Sequence, residues 1–132
     1  MASEIDRLAT AAATGNLQVV TELLNNGVDP NATNSLGRTP IQVMMMGHPK
    51  IARLLIEHGA EPSLPDPSTG TCPAHDAIRE GFVDTLLELL NGGASLYNPM
   101  DNFGQRPIDL ASDDVLEQLN QLGILNLPEI PD

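Results

Sequence analysis

Proline and glycine recur along this chain at a fixed interval. Pro40, Pro73 and Pro107 are separated by 33 and then 34 residues, and Gly37, Gly70 and Gly104 keep the same two intervals. Three glycine pairs, Gly15 with Gly27, Gly47 with Gly59 and Gly81 with Gly93, are each twelve residues apart. Proline suits the first turn of a helix, where its missing N–H removes no bond, and glycine suits a helix end that turns left-handed. A proline-started helix, a glycine, a second helix and another glycine therefore make one unit. A unit of this size cannot bury an apolar face alone, so the 132 residues are constrained to a stack of units, each packed on its neighbours.

The stretch from Gly70 to Ala94, GTCPAHDAIREGFVDTLLELLNGGA, shows the unit most fully. Cys72-Pro73-Ala74-His75 occupies the place of the Thr-Pro-Leu-His start of an ankyrin repeat. A first helix is expected through Ala74–Arg79, stopping at Gly81. A second is expected from about Val83 to Asn91, with Leu86, Leu87, Leu89 and Leu90 on its buried side. The fold class is all-α: a solenoid of four stacked ankyrin repeats, about 5–36, 37–69, 70–103 and 104–123, with a flexible acidic tail at 124–132.

The repeats depart from the pattern in places. Residues 1–7 read as a frayed start. Pro40 to Gly47 spans seven residues where Pro73 to Gly81 spans eight, so the first helix of repeat two is short, a single turn or 3₁₀-like stretch. Met44, Met45 and Met46 cannot all face inward from so short a helix; at least one is expected at the surface, which suits a contact. The loop from Glu61 to Thr69 carries Pro62, Pro65 and Pro67, which stiffen it, with Asp66 at its tip as a turn former or a contact. Repeat four has no glycine between its helices, as suits a terminal unit.

Eighteen acids against six bases give a net charge of −12. Nucleic acid is excluded as a natural partner, since binding it relies on Lys and Arg at the phosphates. The charge favours a partner with a basic surface, or simply keeps the array soluble. Cys72 is the one cysteine, which rules out an internal disulfide and suits a reducing compartment. No basic-then-apolar leader opens the chain, and no stretch approaches the roughly 18 apolar residues of a membrane span. A cytoplasmic and nuclear protein without membrane contact, acting as a monomer, is expected. No phosphate-binding glycine loop is present, Cys72 and His75 lack a second ligand pair for zinc, and no nucleophile has a partner set. No enzyme, cofactor or metal is expected, and His75 reads as a structural hydrogen-bonding residue.

One position stands out when the repeats are aligned on their prolines: Val43, Asp76 and Leu110 share it. An acid where two units place an aliphatic either meets a partner's base or pairs with Arg79, three residues on, for a few tenths of a kcal/mol. Glu80 and Asp84 extend the local acidity.

The segments Asn31 to Gly47 (NATNSLGRTPIQVMMMG), His58 to Pro62 (HGAEP) and His75 to Leu86 (HDAIREGFVDTL) resemble the four-ankyrin inhibitors of the D-type-cyclin-dependent kinases four and six, most of all the fifteen- and sixteen-kilodalton members. The resemblance covers about residues 8–111 and includes the short helix of repeat two. It implies a non-catalytic inhibitor that binds the kinase catalytic domain without its cyclin, beside the ATP cleft, turns the two lobes against each other and blocks G1 progression. It implies that Asp76 meets a kinase arginine and that Asp66 is a polar contact of the second finger. Gln42, Val43, Met44 and Met45 would lie in the contact surface, with Arg79, Phe82 and Asp84 beside Asp76. Thr14 and Asn16 stand where arginines are common in the family, Asp6-Arg7 where an aromatic can precede LATAAA, and Leu36 where a finger tyrosine can occur. The competing reading is a generic ankyrin adaptor for another protein, such as a transcription-factor subunit.

Overall fold

Two apolar stripes at helical spacing, separated by a glycine, fold back on each other as a helix pair, and the chain repeats this along its length. The computed structural model describes residues 3–125. Its elements are α1 (Glu4–Thr14), α2 (Leu17–Asn25), α3 (Pro40–Val43), α4 (Pro49–Glu57), α5 (Pro73–Glu80), α6 (Val83–Asn91), a 3₁₀ turn (Pro107–Leu110) and α7 (Asp113–Gln121). No strand occurs among the described residues. The first helices form one layer, in which α1 packs on α3 and α5 on the 3₁₀ turn; the second helices form the other, with α2 on α4 and α4 on α6. The expected all-α ankyrin stack is the fold.

The core runs between these layers and is aliphatic: Leu8, Val20, Ile41, Ile51, Leu55, Ile78, Leu86, Leu89 and Leu119 are all fully enclosed. Gly81 ends α5 with φ 79°, a left-handed geometry that lets its N–H and that of Phe82 bond back to the last turn of the helix. On α6 the buried side is narrower than expected. Thr85, Leu86 and Leu89 are buried, whereas Leu87, which lines a groove with Pro49 and Arg53 of α4, and Leu90 are only half-covered.

Repeat two carries the expected short helix. α3 is one turn of four residues, and Met44 leaves it in an extended conformation (φ −57°, ψ 153°). The missing length is replaced by a strap. The Met45 N–H donates to the Ala12 carbonyl at 2.8 Å, an end carbonyl of α1 that the Gly15 cap N–H reaches only at 3.4 Å. The start of the chain is more ordered than the sequence suggests. α1 begins at Glu4, with the Ser3 hydroxyl accepting from the Asp6 N–H (3.1 Å), so residues 4–7 are helix rather than a frayed start. Repeat four is more reduced than expected. Its first helix is the single 3₁₀ turn, and Ser112 then caps α7 through the Val115 N–H at 3.2 Å. Ile124 and Leu125, expected in the acidic tail, are half-buried against the core; the rest of that segment, 126–132, lies outside the described residues.

Between helix pairs the chain turns out in three fingers built alike. Each opens on Asn or Asp, whose Oδ1 accepts backbone N–H groups of its own turn. Asn34 takes Leu36 (2.9 Å) and Arg38 (3.0 Å), Asp66 takes Ser68 (2.8 Å) and Thr69 (3.3 Å), and Asp101 takes Phe103 and Gln105 (both 2.9 Å). Each closes through a glycine at positive φ: Gly37, Gly70 and Gly104.

The third residue of each proline-started first helix closes its own helix start, and two of the three tie one repeat to the next. Gln42 Oε1 accepts from the Thr39 N–H (2.7 Å), His75 Nδ1 from Cys72 (2.9 Å) and Asp109 Oδ2 from Arg106 (2.8 Å), so each closes its own helix start. Gln42 Nε2 then donates to the Leu64 and Pro65 carbonyls (both 3.0 Å), and His75 Nε2 donates to the Gln105 carbonyl (2.9 Å). Both reach into the following finger. His75 is the structural residue the sequence implied. It is fully buried, so His75→Ala leaves the Cys72 N–H without a partner, takes one of two donors from the Gln105 carbonyl (the Asp101 N–H stays at 2.9 Å) and opens a void. The expected loss is about 3 kcal/mol, of which the orphaned N–H contributes ~1–3. Urea denaturation of the purified variant measures it, and a midpoint like that of the wild type would remove His75 from this role.

Candidate functional site

Asp76 stands on α5 one residue beyond His75, on the side His75 does not use. Its side chain is 28% exposed, and Arg79 Nη2 lies 2.7 Å from Oδ1. Arg79 is itself half in solvent and lies 4.0 Å from Glu80. Burial pushes the Asp76 carboxyl above the ordinary aspartate range, and Arg79 offsets that only in part. The ion pair expected from the sequence exists, yet it leaves the carboxylate under-solvated and with one donor.

The other expected contact residues fall into three groups. Val43 takes the place on α3 that Asp76 takes on α5, and is half-buried. Gln42 beside it has both ends of its amide committed to its own helix cap and to the second finger. Met44 is 4% exposed and belongs to the core, so its side chain is not on the surface, whereas Met45 is 45% exposed. Met45 lies over Gly15; a Cβ there would come within 2.9 Å of its sulfur. At the turn between α5 and α6, Phe82 packs its ring edge on Gly47 and lines an open groove of about 250 Å³ with Pro49, Asp84, Thr85 and Gln118. Asp84 is exposed on that groove.

Asp66 is placed differently from the rest. It lies at the finger end of the repeat, and the eight residues of α5, roughly 12 Å at 1.5 Å per residue, separate that end from the turn holding Phe82. Its carboxylate is occupied from within. Arg38 Nε donates to Oδ2 at 2.6 Å and Nη2 to Oδ1 at 3.3 Å, alongside the N–H groups of Ser68 and Thr69. The Arg38 hydrogen bond holds the Asp66 carboxyl below the usual range. The turn-forming role left open by the sequence is the one its geometry displays.

Reading the sequence for contacts missed the finger tips. Leu36 is 70% exposed and Phe103 79% exposed, and each directly precedes a finger glycine. That shared place before Gly37 and Gly104 is the signal that could have found them. Nothing in the arrangement is poised for chemistry. Burial pushes the Cys72 thiol up to about 11, and its Sγ donates to the Ser63 carbonyl at 3.1 Å. Among the described residues no group of three His, Cys, Asp or Glu side chains could hold a metal ion. No helix there is long and apolar enough to cross a membrane.

A family model for ankyrin repeats in three copies matches residues 8–101, and with the stacked pairs and fingers it makes this chain an ankyrin-repeat protein. The chain is 50% identical over 125 residues to cyclin-dependent kinase inhibitor 2A of Monodelphis domestica, covering 95% of this chain and 70% of that one. It is 56% identical over 106 residues to cyclin-dependent kinase 4 inhibitor B of Rattus norvegicus, covering 80% and 81%. It is 54% identical over 113 residues to cyclin-dependent kinase inhibitor 2A of Homo sapiens, covering 86% and 72%. The chain belongs to this family of ankyrin-repeat cyclin-dependent kinase inhibitors.

The two acids carry opposite pH signatures. Asp66, with a lowered folded pKa, adds stability that is present above its unfolded value, about 4, and is lost as the pH falls through the folded one. Asp76, with a raised folded pKa, binds its proton more tightly when folded, so its ionised form opposes folding at neutral pH. Asp76→Asn is therefore expected to match or exceed the wild type in urea midpoint at pH 7, with the difference shrinking toward pH 3. A drop of more than ~1 kcal/mol at pH 7 would mean that the pair with Arg79 outweighs desolvation.

Proposed function

We propose that this protein is a non-catalytic inhibitor of the D-type-cyclin-dependent kinases four and six, binding the kinase catalytic domain and blocking both cyclin association and ATP-site function. The observation that carries the reading is the 56% identity, over most of both chains, to a protein named as an inhibitor of kinase four. The geometry supports it through Asp76, a carboxylate held half out of water with one exposed arginine as partner. A second guanidinium brought by a partner supplies the solvation that burial removes. Val43 on α3, Met45 and Phe82 in the inter-helix turns, Arg79 on α5 and Asp84 in the first turn of α6 complete the proposed contact surface. Gln42 and Met44 act by holding α3, since the amide of one and the thioether of the other are used inside the stack.

An inhibitor of this kind needs no chemistry. It shifts the kinase toward a form that cannot take its cyclin, by as much as its affinity for that form exceeds its affinity for the active one. The acidic surface speeds encounter with a basic partner face. We place the protein in cytoplasm and nucleus, as a monomer restraining G1 progression; a single species at the monomer mass in sedimentation equilibrium is the expected result.

Asp76→Ala tests the central contact. Leaving a kinase arginine unpaired in a desolvated interface costs about 2–5 kcal/mol, a loss of roughly thirtyfold or more in affinity at ~1.4 kcal/mol per decade. Kinase titration and urea denaturation of the same variant should show weak binding with folding retained. Unchanged inhibition would take Asp76 out of the interface.

The methionines give an independent check. Met45 is expected to oxidise in mild peroxide well before Met44, and cyclin-free kinase should protect it. Met100, 61% exposed near the third finger, provides an internal standard. Equal Met45 oxidation with and without bound kinase would place the run outside the contact.

A further inference from the structure

We infer that Arg38 and Asp66 form a brace that positions α3 and the second finger for binding, and that Asp66 is a positioning residue rather than a point of partner contact. The functional half of this rests on the kinase-binding reading above; the structural half does not.

The first support is how Asp66 is engaged within the chain. A carboxylate offers about four acceptor sites, two on each oxygen. Oδ1 takes Arg38 Nη2 at 3.3 Å, the Ser68 N–H at 2.8 Å and the Thr69 N–H at 3.3 Å, and Oδ2 takes Arg38 Nε at 2.6 Å. A partner arginine could not pair with both oxygens without displacing one of these. Asn34 and Asp101 occupy the same place in the other two fingers and accept backbone N–H groups in the same way. The residue type at this place is thus explained by the turn, and the extra charge by Arg38.

The second support is what the brace connects. Arg38 leaves the first finger and directly precedes Thr39, the cap of α3. Its backbone pairs with Asn34 (the Asn34 N–H donates to the Arg38 carbonyl at 2.8 Å), while its guanidinium crosses to Asp66 and to the Ser68 hydroxyl at 3.1 Å. Asn102 continues the chain of bonds, its N–H donating to the Thr69 carbonyl (2.9 Å) and its amide to the Ser68 carbonyl (3.2 Å). The three fingers are joined into one row. α3, with only four residues, has little helix of its own to fix it. It is held to the second finger at its cap by Arg38 and at its third residue by Gln42. Val43, the next residue of α3, is set by those two ties, and Met45 by its own N–H bond to the Ala12 carbonyl.

Arg38→Ala and Asp66→Asn, singly and together, test the brace. Asp66→Asn keeps the oxygen that Asn34 uses in the first finger, so the turn itself survives. Both single variants are expected to lose about tenfold in affinity for cyclin-free kinase, and the double variant no more than either alone, as for residues that act as a unit. In the free protein, hydrogen exchange should speed at the Asp66, Gly70 and Asn102 amides, which close the second finger and join it to the third. If Asp66→Asn weakens binding while Arg38→Ala binds like the wild type, Asp66 meets the partner directly and the proposal falls. Additive losses would overturn it as well, since they would show two independent contacts. Should the wild type bind no such kinase, the functional reading fails on its own, and exchange still decides the brace: faster finger amides in either variant support it, and unchanged ones overturn it.

Discussion

The stack depends on one hydrogen-bonded position used three times. The third residue of each proline-started first helix accepts from the N–H of its own cap, and where another repeat's finger lies within reach it also donates onward. Gln42 and His75 both do so, each having an acceptor and a donor on one short side chain. Asp109 ends the series. It has no donor to pass on, and its two oxygens instead hold Arg106, with which it pairs at 2.8 Å and which draws its carboxyl down to about 2. The change from amide to imidazole to carboxylate along the chain thus follows the supply of neighbours. In a solenoid, where repeats touch only their neighbours, such a bond does the work that a deep core does elsewhere.

The irregularity of repeat two has the same origin. Removing one residue between Pro40 and Gly47 leaves α3 a single turn. Met44 enters the core in place of the lost turn, and the Met45 N–H closes α1 from outside. Met45 is then turned out to solvent. Methionine suits this segment because an unbranched thioether packs into irregular space on one side and over a glycine on the other. A short helix is therefore both a local defect in packing and the reason an apolar side chain stands on the surface over the end of α1.

How much of this was legible in the sequence divides along a physical line. Helix positions set by glycine and proline spacing were readable to within about a residue, as α5 and α6 show, because the signal is local and steric. The order at residues 4–7 was not, since it comes from a serine cap and from Asp6 accepting the Ser35 N–H (3.1 Å) across to the first finger. The half-exposure of Leu87 and Leu90 was hidden for a similar reason: helical spacing names a face, but only the neighbouring units in the stack decide how much of it is covered. The candidate site was partly visible. Asp76 emerged from comparing repeats, whereas the internal commitments of Gln42 and Asp66 depend on partners 22 to 28 residues away, which no local pattern displays.

Asp66 and Asp76 carry the same charge and sit in the same pair of neighbouring repeats, and their surroundings separate their roles. Asp66 takes donors on both oxygens from within the chain, so its ionised form is favoured in the folded state. Asp76 is desolvated more than it is compensated, so its ionised form is a local excess that the free protein carries. The first charge is compensated by the fold, and the second is the one that the proposed contact with a partner would compensate. The same comparison explains why an aliphatic stands at the aligned places 43 and 110. In those repeats a desolvated acid would oppose folding without an arginine on the next turn to hold it. Only repeat three supplies one, in Arg79, close enough to keep Asp76 ionised and exposed enough to leave it incompletely paired.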